Sequence, residues 1–519
     1  MSAWIRVRGL AWPILERLGR LDSGSNPDGP TSLPESFITL GLQRVITQRL
    51  KAHIMHSALN QRFIAPVFFV LIMLSAPLSG CFGSEDSSTL KQFEFEIEQS
   101  PVGENPLRSG ETHDFILRGD IAIQVPATII LIINGSVLPS GQIVANGTDV
   151  HGQIMVPPTT TGNVSIEVNG KSIKLEIVAG DPIISGKDWF DKMDFITSVC
   201  SDSTECGGYI NRWMGTPNPA FERAVSFFQG HFEGLGYETH ILRVIDHLNP
   251  TQPESVNIIA WKRGRSSECV QGMGAHMDIA PPGGPPGGGT YEGAYDNTAG
   301  TVSMMLFARE LVNMEVECDT FLGLWSSEEE GLRGSSAFAT NDCDYCLPHD
   351  KELRFYINMD MMGVSWPALK PSGEPYPYHA WSGPDEDPEV VEQPITGVME
   401  YIHFDILQAP KNLTIDGTYG AGCDQHWDEH ENLTLDVHED TFGRSDHVTF
   451  RNLGAQTIFH LGAYDADYDA YHSPSDTLDN MVQMVGGQEE LENSIEFVMW
   501  AAYLEFLYAD QTPTVANVG

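Results

Sequence analysis

At 519 residues the chain exceeds one ordinary domain, and its 41% apolar content suffices for packed cores, so two folded units behind a leader are expected. Asp and Glu number 71 against 29 Lys and Arg, a net charge of -42. A surface that acidic repels phosphate backbones and anionic lipid headgroups, which argues against nucleic acid as a partner.

Residues 1–54 carry scattered basic side chains and a turn-rich stretch, Asp22 to Ser36, without sustained periodicity, and no fold is assigned to them. Met55 is a candidate start. An apolar run, Phe63 to Leu78, follows Arg62 and closes on Leu78-Ser79-Gly80-Cys81 ahead of a polar linker, residues 82–92. Its length and the small residues before the break point to a secretory signal over residues 55–81 rather than to a membrane span. The closing four residues resemble the lipobox of prokaryotic lipoproteins, which implies a lipidated Cys81 and attachment to the outer face of a cell membrane. Plain secretion and an uncleaved anchor are the alternatives.

Residues 93–180 hold short β-branched or alternating runs, among them Phe93 to Ile97, Ala127 to Ile133, Ser165 to Val168 and Ser172 to Val178, separated by Gly, Pro and Asn turns. This texture predicts a small all-β sandwich. It gathers no cluster of His, Cys and carboxylates, so an accessory role is expected. Asn134, Asn146, Asn163, Asn412 and Asn432 head Asn-X-Ser/Thr triplets.

From residue 181 to 510 helix and strand patterns alternate, which predicts a three-layer α/β/α domain on a mostly parallel, mixed sheet, with residues 511–519 as a tail. Asn218-Pro219 starts a helix whose Phe221, Val225, Phe228 and Phe232 share one core face up to Gly234 and Gly236. Strands are expected at Glu238 to Ile245, Val256 to Trp261, Val270 to Ala275, Thr320 to Trp325, Leu353 to Met359 and Thr457 to Leu461. Helices are expected at Thr301 to Val312 and Glu489 to Leu507. Residues 363–438 form a long polar and aromatic insertion with one helix near Pro388 to Ile402. Of the cysteines other than Cys81, Cys269 and Cys318 precede interior strands and are paired in this reading. Cys200 with Cys206 and Cys343 with Cys346 lie close in sequence, which leaves Cys423 odd.

Candidate ligands follow the apolar runs. His276, Asp296, Glu329, Asp360 and His472 each fall near a strand end or loop, the place where open α/β sheets build sites. Imidazole and carboxylate donors without thiolate suit zinc in a catalytic site, and one carboxylate can bridge two ions. Asp278, two residues past His276, is placed to orient that ring, and Glu328, beside a ligand, to act as a general base.

His276-Met-Asp278, Gly293-Ala-Tyr-Asp296-Asn297, Glu328 to Ser335, Asn358-Met-Asp360, Ser445-Asp446-His447 and His472-Ser-Pro-Ser-Asp476-Thr477 resemble, in order, the motifs of the co-catalytic zinc exopeptidases of the aminopeptidase Y type. The resemblance spans roughly Asp188 to Leu507. It implies two Zn2+ per chain, bridged by Asp296, with His276 and Asp360 completing one site and Glu329 and His472 the other. It also implies Glu328 as general base, Asp278 as the orienting residue, and a peptide or protein substrate, most often cleaved at its amino terminus. A carboxypeptidase or dipeptidase, a glutaminyl cyclase, and a non-catalytic surface receptor are the rival readings.

Overall fold

The computed structural model describes most of residues 94–511. Residues 1–93 and 512–519 lie outside the described residues, as do 98–106, 199–207, 245–254, 282–289, 383–393, 410–435 and several shorter stretches. The expected signal segment, Cys81, Cys200, Cys206, Cys423 and the triplets at Asn134, Asn146, Asn412 and Asn432 fall there. Among the described residues no helix is long and apolar enough to cross a membrane.

Eight strands come first: β1 (Glu94–Ile97), β2 (Leu107–Arg108), β3 (Thr112–Ile123), β4 (Ala127–Ile133), β5 (Ser136–Ile143), β6 (Gly147–Met155), β7 (Gly162–Val168) and β8 (Lys171–Val178). They form one sheet of order β1-β3-β6 and a second of order β2-β8-β7-β4-β5. In the second sheet β7 and β8 pair antiparallel, with Val164 in register with Leu175 and Ile166 with Ile173.

Two capped helices open the α/β region. In α1 (Gly186–Thr197) the Ser185 hydroxyl accepts the Asp188 N–H at 3.0 Å. In α2 (Pro219–Leu235) the Asn218 side chain accepts the Ala220 N–H at 3.1 Å, proline fills the first turn, and Gly236 stops the helix at φ 91°. Both ends satisfy amide or carbonyl groups that the helix itself leaves unpaired.

The sheet is built from β9 (Glu238–Val244), β10 (Ser255–Lys262), β11 (Ser266–His276), β12 (Cys318–Trp325), β13 (Glu352–Met359), β14 (His379–Ser382), β15 (Asp436–Glu439) and β16 (Gln456–Leu461), with α3 (Ala299–Leu311), α4 (Arg333–Thr340), α5 (Pro394–Glu400), α6 (His447–Arg451), α7 (Leu478–Val485) and α8 (Gln488–Gln511) connecting or flanking them. Strand order is β15-β14-β16-β13-β11-β12-β10-β9, and the central four strands run parallel. This is the α/β architecture expected.

Strand side chains alternate between two apolar layers. Ile258, Ala260, Leu322, Leu324, Phe355 and Ile357 join the core that contains Trp189, Phe228, Phe307 and Trp500 of α1, α2, α3 and α8. Ile259, Trp261, Phe321, Trp325 and Tyr356 pack instead with Phe338 of α4 and Phe450 of α6. A sheet buried on both faces must read as near-continuous apolar runs, which is why β12, with every residue buried, was visible in the sequence. Disulfides join Cys269 to Cys318 and Cys343 to Cys346, as expected.

Candidate metal centre

Register places the ligand-bearing residues on one edge. His276 at the end of β11 pairs with Trp325 at the end of β12, and Gly274 pairs with Asn358 of β13. Trp325 is followed by the loop that carries Glu328 and Glu329, and Met359 by Asp360. Parallel strands in register therefore deliver His276, Glu328, Glu329 and Asp360 to the same carboxyl-terminal rim. Asp296 arrives from the turn just before α3, and His472 from the loop before α7. His472 and Ser327 take left-handed backbone conformations at φ 51° and 56°. Non-glycine residues seldom adopt that region, and where they do the surrounding structure is aiming a side chain.

The five residues converge. The two oxygens of Asp296 diverge: Oδ1 lies 3.2 Å from His276 Nε2 and Oδ2 lies 3.1 Å from His472 Nε2. On the first side Asp360 Oδ1 stands 3.3 Å from His276 Nε2, and on the second Glu329 Oε2 stands 3.0 Å from His472 Nε2. In each of the two triads, His276/Asp296/Asp360 and Asp296/Glu329/His472, one donor atom per residue lies within 4.8 Å of the others.

Asp278 is fully buried beneath this set. Its Oδ1 lies 3.6 Å from His276 Nδ1 and 3.4 Å from the Glu328 backbone nitrogen, while its own carbonyl lies closer to Nδ1, at 3.2 Å. The carboxylate thus faces both the ring and the loop of Glu328, and the nearer contact to the ring is backbone.

Several supporting groups lay beyond the residue-by-residue reading. Trp325 Nε1 donates to the Tyr356 hydroxyl at 2.7 Å, which donates to Asn358 Oδ1 at 3.1 Å. The Asn358 amide donates to Ser445 Oγ at 2.8 Å, and that hydroxyl donates to Asp360 Oδ2 at 2.8 Å. This chain of buried donors leaves Oδ1 of Asp360 for the site. Gly274 is part of the same device: a Cβ there would sit 2.4 Å from the Tyr356 hydroxyl and 2.6 Å from Trp325 Nε1, so only glycine leaves room for their hydrogen bond.

Asp476 performs the corresponding task for Asp296. It is fully buried, and its oxygens accept the N–H groups of Tyr295 at 2.9 Å and Asp296 at 3.1 Å and the Tyr468 hydroxyl at 2.6 Å. It thereby ties the His472 loop to the backbone of the shared carboxylate. Arg212, also fully buried, donates to the carbonyls of Met277 at 2.7 Å and Glu292 at 3.1 Å and to the Thr298 hydroxyl, bracing the loops from beneath. Asp476→Ala should leave two buried amides unpaired, lowering stability by about 3 kcal/mol and weakening zinc binding about 10- to 100-fold. Denaturant midpoints and competitive chelator titration measure the two effects.

Charge explains what such a centre requires. Burial pushes Glu329 and Asp446 up to about 7, and Glu328 well above the usual carboxylate range, with neighbouring carboxylates adding to each shift. Burial opposes charge on the imidazoles, yet the acids around them outweigh it, holding His276 well above its ordinary value and His472 up to about 11. Asp296 is buried too, but the hydrogen bonds from both rings keep it well below its ordinary value. Burial thus favours protons on Glu328, Glu329 and Asp446, and Glu329 Oε1 is buried with no hydrogen-bond partner. Deprotonated imidazole and carboxylate are metal ligands, so divalent cations would take the place of those protons. Two nitrogen donors, three carboxylates and no sulfur fit zinc.

Residues 257–382, which hold four of the five converging side chains, match the model of peptidase family M28. Leucine aminopeptidase 2 of Arthroderma otae is 34% identical to this chain over 107 residues, 21% of this chain and 19% of that protein. Aminopeptidase Y of Saccharomyces cerevisiae is 28% identical over 106 residues, 20% of this chain and 18% of that one. The chain therefore matches about a fifth of the length of these curated relatives. Among solved structures, a zinc aminopeptidase from Bacillus subtilis aligns with a TM-score of 0.33 at 20% identity, covering 49% of this chain and 50% of that one. The M28 segment ends at Ser382, so His472, Ser445 and Asp476 are joined to it by geometry alone.

Proposed function

We propose that the chain is an extracytoplasmic di-zinc metallopeptidase, most simply an aminopeptidase that removes N-terminal residues from peptides. The observation that carries this reading is the divergence of the Asp296 oxygens toward two imidazoles, each accompanied by one further carboxylate. His276, Asp296 and Asp360 would hold one zinc, and Asp296, Glu329 and His472 the other. Bound zinc supplies Lewis acidity toward a scissile carbonyl and a water molecule.

The chain's own groups supply the proton handling. Glu328 sits on the rim beside Glu329, its carboxyl raised by burial, with Asp446, Asp360 and Glu329 adding to the shift. It takes the proton of the water whose oxygen attacks the carbonyl carbon, and returns it to the amine nitrogen as the C–N bond breaks. Asp278 and the Asp360 relay hold the ligands in place through that cycle. Export and lipid attachment are part of the proposal and rest on the Leu78-to-Cys81 motif alone.

Zinc analysis combined with a substrate panel tests it. Two zinc ions per chain are expected, with chelator-sensitive release of nitroaniline from aminoacyl-nitroanilides and no cleavage of N-acetylated peptides. Cleavage of blocked peptides from the carboxyl end, or conversion of N-terminal glutamine to pyroglutamate with a single bound zinc, would replace the aminopeptidase reading by one of its rivals. The absence of any metal-dependent turnover would leave the receptor reading.

A further inference from the structure

A second cavity lies away from the metal centre, between α1, α2 and α3, with a volume of about 810 Å³. Its walls are mixed: Phe195 and Phe227 meet at a ring-centroid distance of 5.7 Å, with Ile196 and Met305 beside them, and Asp188, Asp191 and Ser226 add polar surface. Phe195 remains 42% exposed, unusual for a phenylalanine on a capped, packed helix. In a chain of net charge -42 the same cavity gathers Lys192, Arg309 and His231.

The three basic groups are not equivalent. Arg309 is already engaged, by Asp188 at 2.9 Å, by Glu310 at 2.9 Å and by the carbonyl of Ile183. His231 Nε2 donates to the Met305 carbonyl at 2.9 Å, and burial holds the ring below its ordinary value, so its one polar contact here is already made. Lys192 has no hydrogen bond or ion pair within the described residues. Its side chain is half-buried, and burial and the nearby Arg309 disfavour its charge while Asp188 favours it. A partly desolvated cation beside apolar walls lacks one acceptor.

We infer that this cavity is a binding site for a small carboxylic acid with an apolar body, its carboxylate on Lys192 and its body between Phe195, Phe227 and Met305. A single cation without a hydrogen-bonded acceptor calls for a monoanion, since the extra charge of a phosphate would face Asp188 and Asp191 at the same cavity. The volume admits a molecule of roughly the size of an aromatic acid. Two sources share that chemistry: free apolar amino acids, and aryl or fatty acids without an amino group.

Calorimetric titration of the full chain with 3-phenylpropionate, L-phenylalanine and phenethylamine tests the site. One saturable event is expected with at least one of the two carboxylates and none with phenethylamine, which has the same body but no acid. Lys192→Gln should weaken binding by at least about tenfold. Gly230→Leu offers an independent check, because Gly230 lines the cavity, a Cβ there meets nothing within 4 Å, and leucine favours a helix, so the variant folds and fills the space. Tighter binding of phenylalanine would identify the amino-acid source, and tighter binding of phenylpropionate the other. No saturable binding of either acid, or binding that both variants leave unchanged, overturns the assignment. Because the readout is binding, its failure leaves the peptidase proposal untouched, and the reverse also holds.

Discussion

Glu328→Ala should keep its full complement of bound zinc and lose about 10²- to 10⁴-fold in kcat, the range that a positioned general base contributes. The separation of the two effects follows from position. Glu328 lies next to Glu329 in sequence but belongs to neither triad of converging donors. Its backbone N–H faces Asp278 Oδ1 at 3.4 Å, which anchors the loop without using the carboxylate. Metal analysis and steady-state kinetics on one preparation decide the matter. Full turnover rejects the assignment, and loss of zinc would make Glu328 a ligand instead. Glu328→Gln, which preserves shape and one acceptor oxygen, should lose nearly as much activity, because a neutral amide cannot take the proton.

The convergence of the five candidate residues was legible in the chain because they obey a positional rule. His276 closes β11, Asp360 directly follows β13, Glu329 comes four residues past the last residue of β12, and a sheet covered on both faces writes its strands as plain apolar runs. What supports the ligands was harder to see. Trp325, Tyr356 and Asn358 look like ordinary strand residues, and only the parallel register shows that their polar ends form one relay toward Asp360. Arg212 would pass for a surface cation, since nothing local shows that it ends up enclosed by the carbonyls of Met277 and Glu292. Asp476 stood inside a recognised motif, yet the two amides it holds lie about 180 residues away in the chain. Local pattern encodes which face of an element is buried; it does not encode which buried polar groups find each other.

The same contrast runs through the β-rich segment. Ala127–Ile133 is an unbroken apolar run and was found at its observed bounds. Thr112–Ile123 and Gly147–Met155 are interrupted by Arg118, Gly119, Asp120, Asp149 and Gly152, so neither alternates cleanly, and their strand character emerges only from pairing with each other. The helix of the insertion, expected near Pro388 to Ile402, is observed from Pro394, with the helical path continuing through Ile406.

Asp296→Ala should remove both zinc ions, lowering metal affinity by more than about 10²-fold and reducing activity to background, because it is the one residue the two triads share. The argument rests on its two oxygens, which point to different imidazoles 3.2 Å and 3.1 Å away. Deleting a terminal ligand acts on one side only: Asp360→Ala should empty the His276 side first, and Glu329→Ala the His472 side. Metal content per chain, measured after dialysis against a weak chelator, separates the cases. Loss of both ions only in the Asp296 variant marks the bridge, loss of a single ion makes Asp296 a terminal ligand, and retention of both removes it from the centre. Asp296→Asn sharpens the comparison, since it keeps one carbonyl oxygen and should hold zinc more weakly than the wild type yet better than alanine. The dependence runs deeper than the metals, because Asp476 grips the backbone at Tyr295 and Asp296 and so fixes where the shared carboxylate begins. The Asp296 and Asp476 substitutions should therefore be strongly non-additive in metal affinity, the second costing little once the first has removed what it positions.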